Sequence, residues 1–176
     1  MDVIIPKPPA SDAYLLHRLV AEMHPEGALW HDDGRNLIVR SKTQPLPDVP
    51  SAGTLLGFRV AARVTLKRAS KRRDARPGDI QTRRQWLVSR GRHWGFEVVS
   101  MYCECHRLNI KTRDARFSVD ATQFAGVLRV TDRDRLARAM LAGITPTGLA
   151  YGLGMLFLGT PSNVSTVQPT PTTETE

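Results

Sequence analysis

The chain opens on a short β-branched run, residues 3–5, that stops at Pro6-Lys7-Pro8-Pro9, where fixed φ angles and missing N–H donors interrupt regular structure. Beyond it, Leu15, Leu16, Leu19, Val20 and Met23 recur at helical spacing and predict a helix over 11–23 with Ser11 as N-cap. On that wheel Tyr14, Arg18 and Ala21 lie away from the apolar stripe, and His17 sits on its border beside Val20. Residues 35–40 read as a strand and the prolines between 45 and 50 as a loop. Alternation over 55–66 predicts a long strand with Phe58, Val60, Ala62 and Val64 on one face and Arg59 and Arg63 on the other. A charged loop over 67–76, a helix over 79–92, a strand or bent hairpin over 96–110, and strands over 117–119 and 124–130 follow.

Thr131 then caps a helix with Asp132 and Asp134 in its first turn, where the dipole favours carboxylates, and with Leu136, Ala137, Met140 and Leu141 as its buried stripe. Gly143 ends it, and a glycine-rich loop over 143–154 leads into a last strand, 155–158. From Thr160 on, Ser, Thr, Pro, Gln and Glu dominate; such a composition buries no core and predicts a disordered tail. The order of elements fits an α+β protein made of two tandem ferredoxin-like (βαββαβ) units with antiparallel sheets. The expected division is an N-terminal unit over 1–68, a basic loop over 69–79, a C-terminal unit over 80–159 and the tail over 160–176.

Charge narrows the function. The net charge is +8 and the pI about 10.2, a surface that attracts polyanions rather than small neutral metabolites. Between Arg59 and Arg92 stand twelve basic residues against two acids, Asp74 and Asp79, which leaves −2 for the rest of the chain. So lopsided a distribution reads as a nucleic-acid footprint. Two cysteines and the absence of signal-peptide features argue for a cytoplasmic protein, and no apolar run approaches the length of a membrane span.

Cys103-Glu104-Cys105-His106 has two thiols on one strand face, but no second ligand pair follows, so no metal is expected. The other histidines, His24, His31, His93 and His106, read as surface or packing residues. Glycines at 143–154 allow backbone N–H groups to cradle a phosphate or simply serve a tight turn. Arg83 and Arg90 share a helix azimuth with Trp86 adjacent; either they contact a nucleic-acid backbone beside a stacked base, or the helix is solvated and Trp86 is core.

At this point the motifs converge on a family. Phe124-Ala125-Gly126-Val127-Leu128-Arg129-Val130-Thr131-Asp132, the helix after it, Gly143-Ile144, and Tyr151-Gly152-Leu153-Gly154-Met155-Leu156 resemble the C-terminal signature of CasE-type CRISPR endoribonucleases. Asp12-Ala13-Tyr14-Leu15-Leu16-His17 resembles that family's helix-borne Asp-x-Tyr-x-x-His, and Gly57-Phe58-Arg59-Val60 lies in register between the two. The resemblance implies a tandem ferredoxin fold that grips the hairpin of a CRISPR repeat transcript and cuts once at the stem base. It implies no metal and no cofactor, a ribose 2′-hydroxyl nucleophile, a cyclic phosphate product, and partnership with other subunits of a CRISPR effector complex.

The site residues follow from the same likeness. His17 becomes the general base or acid, a task suited to an imidazole pKa near working pH, with Tyr14 and Arg18 as neighbours. Tyr14 either orients substrate or fills space. RNA binding falls to Arg59, Arg63, Lys67, Arg68, Lys71, Arg72, Arg73, Arg76, Arg83 and Arg90, and to Gly143, Gly152 and Gly154. One departure stands out. Where the family has Gly-Ile-Gly and a lysine before its Ala-Tyr/Phe-Gly step, this chain has Thr145 for the second glycine, one extra residue, and Gly148-Leu149 in the lysine region. A non-cleaving RNA-binding subunit of the same family, or an unrelated basic protein that binds double-stranded RNA, are the alternatives.

Overall fold

The computed structural model describes residues 1–9, 11–68, 71–111, 115–145 and 147–161; the predicted tail lies, beyond 161, outside them. The chain begins with β1 (Val3–Pro6), α1 (Ala13–Met23), β2 (Ala28–Asp32) and β3 (Asn36–Ser41). The three strands form an antiparallel sheet in the order β1-β3-β2, and α1 lies on it, with Leu16 and Val20 against Trp30, Leu37 and Val39. Its cap is Asp12 rather than Ser11. The Asp12 carboxylate accepts from the N–H groups of Tyr14 and Leu15 at 3.0 Å and carries the charge the helix N-terminus favours, while Ser11 Oγ donates back to the Pro8 carbonyl. Leu15 and Met23 are exposed, since a three-stranded sheet covers only the middle of the predicted stripe.

After a loop comes β4 (Leu55–Ala62), which ends before the predicted long strand does. The expected charged loop is instead a two-stranded ribbon, β5 (Thr65–Arg68) and β6 (Lys71–Asp74). Helix α2 (Ile80–Gly91), which falls within the predicted 79–92 and is capped by Asp79, leads to β7 (Phe96–Lys111) and β8 (Arg116–Val130), forming one long hairpin. Helix α3 (Arg133–Ala142) is capped by Asp132, whose carboxylate accepts from the Arg135 N–H, not by Thr131. A short strand, β9 (Phe157–Gly159), closes the fold.

The larger sheet has the order β7-β8-β4-β9, all neighbours antiparallel. Together with α2 and α3 it is a complete βαββαβ unit, whereas the N-terminal sheet and α1 supply only βαββ. The α+β class with antiparallel sheets therefore holds, with two unequal units. The division at residue 68 does not follow the hydrogen bonding: β4 belongs with β8 and β9, so the chain passes between sheets in the loop 42–54. Phe58, Val60 and Ala62 alternate inward against Trp86, Leu87, Phe96, Phe124 and Leu128, with Leu136, Ala137 and Met140 of α3 completing the core.

A buried arginine fastens the two units. Arg40, on β3, is 4% exposed. Its Nε and Nη2 donate to the two oxygens of Asp2 at 2.8 and 2.7 Å, and its Nη1 donates to the carbonyls of Met140 and Leu156 at 3.0 Å each. Truncation leaves a carboxylate and two carbonyls without their donor. Arg40→Ala is expected to lower unfolding free energy by about 3 kcal/mol in urea titrations; a loss below about 1 kcal/mol would remove Arg40 from that role.

Candidate nucleic-acid interface

On α1, Ala13 and His17 are four residues apart and therefore share a face. Ala13 packs into a small apolar cluster with Leu108 and Ile110 of β7 and with Tyr151 and Leu153 of the glycine-rich loop. The helix also abuts the 3-10 turn Leu149–Tyr151. His17 thus stands one helical turn from that junction, exposed, with no hydrogen bond or ion pair among the described residues. Tyr14 is half-buried beside it. Arg18 is exposed and pairs with Glu22, one turn on, at 3.6 Å, a contact that solvent leaves weak.

The glycine amides at 143, 152 and 154 are occupied. The N–H of Gly143 donates to Ala139 O, that of Gly152 to Leu149 O and that of Gly154 to Ala61 O, so the amides assigned to RNA are used inside the protein. Gly152 is required by contact and conformation together: at φ +74° a Cβ there would come within 2.8 Å of the Trp30 ring. Thr145, which replaces a family glycine, accepts from the Thr147 N–H and donates within the loop. Leu149, in the lysine region, lies against Gly143 and Gly154. The bonding of Gly143, Gly152 and Gly154 is that of a tightly packed turn.

The basic residues differ in their settings. Lys67, Lys71, Arg72 and Arg73 are exposed on the ribbon, and Arg76 is exposed just beyond it. Lys67 faces Arg72 directly across the two strands. Arg68 is placed in β5 opposite Lys71 by register. Arg63, at the ribbon's base, forms a bidentate ion pair with Asp74, at 2.8 Å for both contacts, so its fork is occupied. That pair holds its pKa above the ordinary guanidinium value. Arg59 is exposed, but on the sheet face away from α2 and α3, 5.3 Å from the Phe157 ring centroid. There His31 meets the edge of Phe157 at 5.3 Å, its pKa held below the usual imidazole value by burial and then by the charge of Arg59.

Arg83 requires a correction. It is 1% exposed; Nη1 donates to Thr122 Oγ1 at 2.6 Å and Nη2 to the carbonyls of Ala75 and Arg76, with Asp120 3.8 Å away. It anchors the exit of the ribbon to the core and presents nothing to RNA. Trp86 is likewise core, 4% exposed and stacked on Phe124, so no base can lie on its inner face, while Arg90 covers the ring at 5.4 Å.

The structure adds residues that charge counting stopped short of. Arg107, Asn109 and Lys111 alternate along β7 beside Asp120, Ser118 and Arg116 of β8, forming one polar, basic face of the hairpin arm. The opposite face holds Ile110, Val119 and Ala121 against Leu153. The period-2 pattern at 107, 109 and 111 was the available signal. Cys103 and Cys105 are half-buried and unpaired on β7, and burial raises the Cys103 thiol pKa. Among the described residues no cluster of His, Cys, Asp and Glu is arranged to hold a metal ion, and no helix is long and apolar enough to cross a membrane.

Three solved structures share this architecture. A CRISPR endoribonuclease, Cse3, bound to a 19-nucleotide RNA aligns with a TM-score of 0.73 at 20% identity over 90% of this chain and 98% of its own. The CRISPR-associated protein Cas6e of Escherichia coli K-12 gives 0.69 at 18% identity, covering 91% and 100%. A chain of a CRISPR RNA-guided surveillance complex gives 0.68 at 19%, covering 90% and 98%. No curated protein matches the sequence significantly. The family model of CRISPR associated proteins matches residues 19–159, most of the chain, and the protein accordingly belongs to that family.

Proposed function

We propose that this chain binds the hairpin of a CRISPR repeat RNA and cleaves it at the base of the stem, working with other subunits of a CRISPR effector complex. The observation that carries the reading is His17: an exposed helical imidazole beside the glycine-rich turn, in a fold shared with an endoribonuclease solved on its RNA. The ribbon supports it independently. Like charges set opposite one another across a strand pair destabilise it, so Lys67 opposite Arg72 makes sense on a surface that meets polyanions. The polar face of the hairpin arm extends the same basic surface.

In this reading the 2′-oxygen attacks the adjacent phosphorus, the bond from phosphorus to the 5′-oxygen breaks, and a cyclic phosphate and a 5′-hydroxyl result. His17 takes the 2′-proton or delivers one to the departing oxygen, and no step uses a metal. Tyr14, three residues before it, and Arg18, beside it, shape the approach of the backbone. A second reading is favoured by the loop: with the amides of Gly143, Gly152 and Gly154 bonded internally and Leu149 in the lysine region, these groups offer a phosphorane no donor, and the chain binds the hairpin without cutting. Incubation with labelled repeat RNA in EDTA separates the two, since only the first gives site-specific cleavage.

His17→Ala is expected to reduce single-turnover cleavage by about 10²–10⁴-fold while hairpin affinity stays within a few-fold, because the role is proton transfer. Equal rates for variant and wild type would exclude His17. Binding should weaken steeply with salt, and the Arg72→Glu/Arg73→Glu variant should reduce the slope of log affinity against log salt by about 2. An unchanged slope would mean that the ribbon lies off the RNA.

A further inference from the structure

Beside the ribbon runs a groove of about 350 Å³ to which the readings above assign no ligand. One wall is β5, with Thr65 and Lys67; the other is α2, with Gln81 and Gln85 one turn apart on its exposed side, and Trp86 and Arg90. Two cations, several amide and hydroxyl groups and an aromatic edge line it, and none of its lining residues is a carboxylate. Neither Lys67 nor Arg90 forms an ion pair among the described residues. The Arg90 guanidinium carbon lies 5.4 Å from the centroid of the Trp86 ring, a cation–π contact, and guanidinium groups are surfaces on which RNA bases stack.

We propose that this groove receives one unpaired nucleotide of the RNA, from the single-stranded segment flanking the stem. The inference rests on the reading of the chain as a hairpin-binding protein and adds a specificity site to it. Size sets the class of ligand, since about 300 Å³ is the lower end of pockets that hold small organic groups, and a duplex does not enter such a space. Charge then selects among small groups: with two unpaired cations and no acid, the groove suits a phosphate-bearing one. Amides at Gln81 and Gln85 offer a donor and an acceptor each, the pattern that reads a base edge and most readily an adenine. Continuity with the ribbon supplies the path, because Lys67 belongs both to the groove and to the exposed basic strand.

The decisive comparison uses the full chain and three RNAs: the bare hairpin, the hairpin with its single-stranded flanks, and the flanked hairpin carrying abasic flank positions. Wild type is expected to bind the flanked RNA about tenfold more tightly than the bare or abasic forms. Gln81→Ala/Gln85→Ala, two exposed helix positions where alanine preserves the fold, is expected to bind all three alike, at the wild-type affinity for the bare hairpin. Arg90→Ala should act in the same direction. Equal weakening on the bare hairpin would overturn the proposal by placing the stem in the groove, and an unaltered preference for the flanked RNA would overturn it by leaving the groove empty. A wild type that prefers no hairpin over a scrambled sequence would instead remove the functional reading on which the proposal stands.

Discussion

Arg40 reaches from the middle of the N-terminal sheet to two carbonyls 100 and 116 residues further along the chain, and Asp2 neutralises it in place. The position of those carbonyls gives the contact its weight. Met140 and Leu156 bracket the glycine-rich loop, while Leu37 and Val39, on the strand that carries Arg40, support α1 from the other side of the sheet. One guanidinium therefore relates the helix that bears His17 to the glycine-rich turn on which that helix packs. An unpaired charge in that position would be costly, and a lysine could not replace it, because a point charge lacks the fork that serves a carboxylate and two carbonyls together.

Within that frame, the loop works by absence of side chains. Trp30 lies against Gly152, and Leu149 and Thr145 against Gly154, so the glycines admit neighbouring side chains where the family resemblance suggested an anion. Their backbone conformations, with φ between +74° and +92° at Gly143, Gly148, Gly152 and Gly154, suit the same purpose.

Much of this was legible in the sequence, and the exceptions have physical reasons. Alternation at Phe58, Val60 and Ala62 marks a core strand because one face of it is buried, and the helix predicted over 79–92 is present as Ile80–Gly91. The ribbon was read as a loop because both of its faces are charged and so no period appears. β2 went unseen for a related reason: Trp30-His31-Asp32-Asp33-Gly34 mixes a buried indole with turn residues. Arg83 was placed on the surface by its charge, although Trp86 and Leu87, three and four residues on, set its azimuth toward the core. His17 could be singled out only through the family motif, since its exposed position alone does not separate it from His93.

The ribbon has a consequence of its own. Two strands without a core of their own are marginal in water, and here Lys67 and Arg72 repel across them while the Arg63 and Asp74 pair holds the base. A bound polyanion cancels the repulsion, so occupancy and local order become linked: each strengthens the other by the same free energy. On the proposed reading, the ribbon would be a receptor element whose own strand pairing is coupled to what lies against it, gaining whatever stability a bound phosphate backbone returns by removing the repulsion.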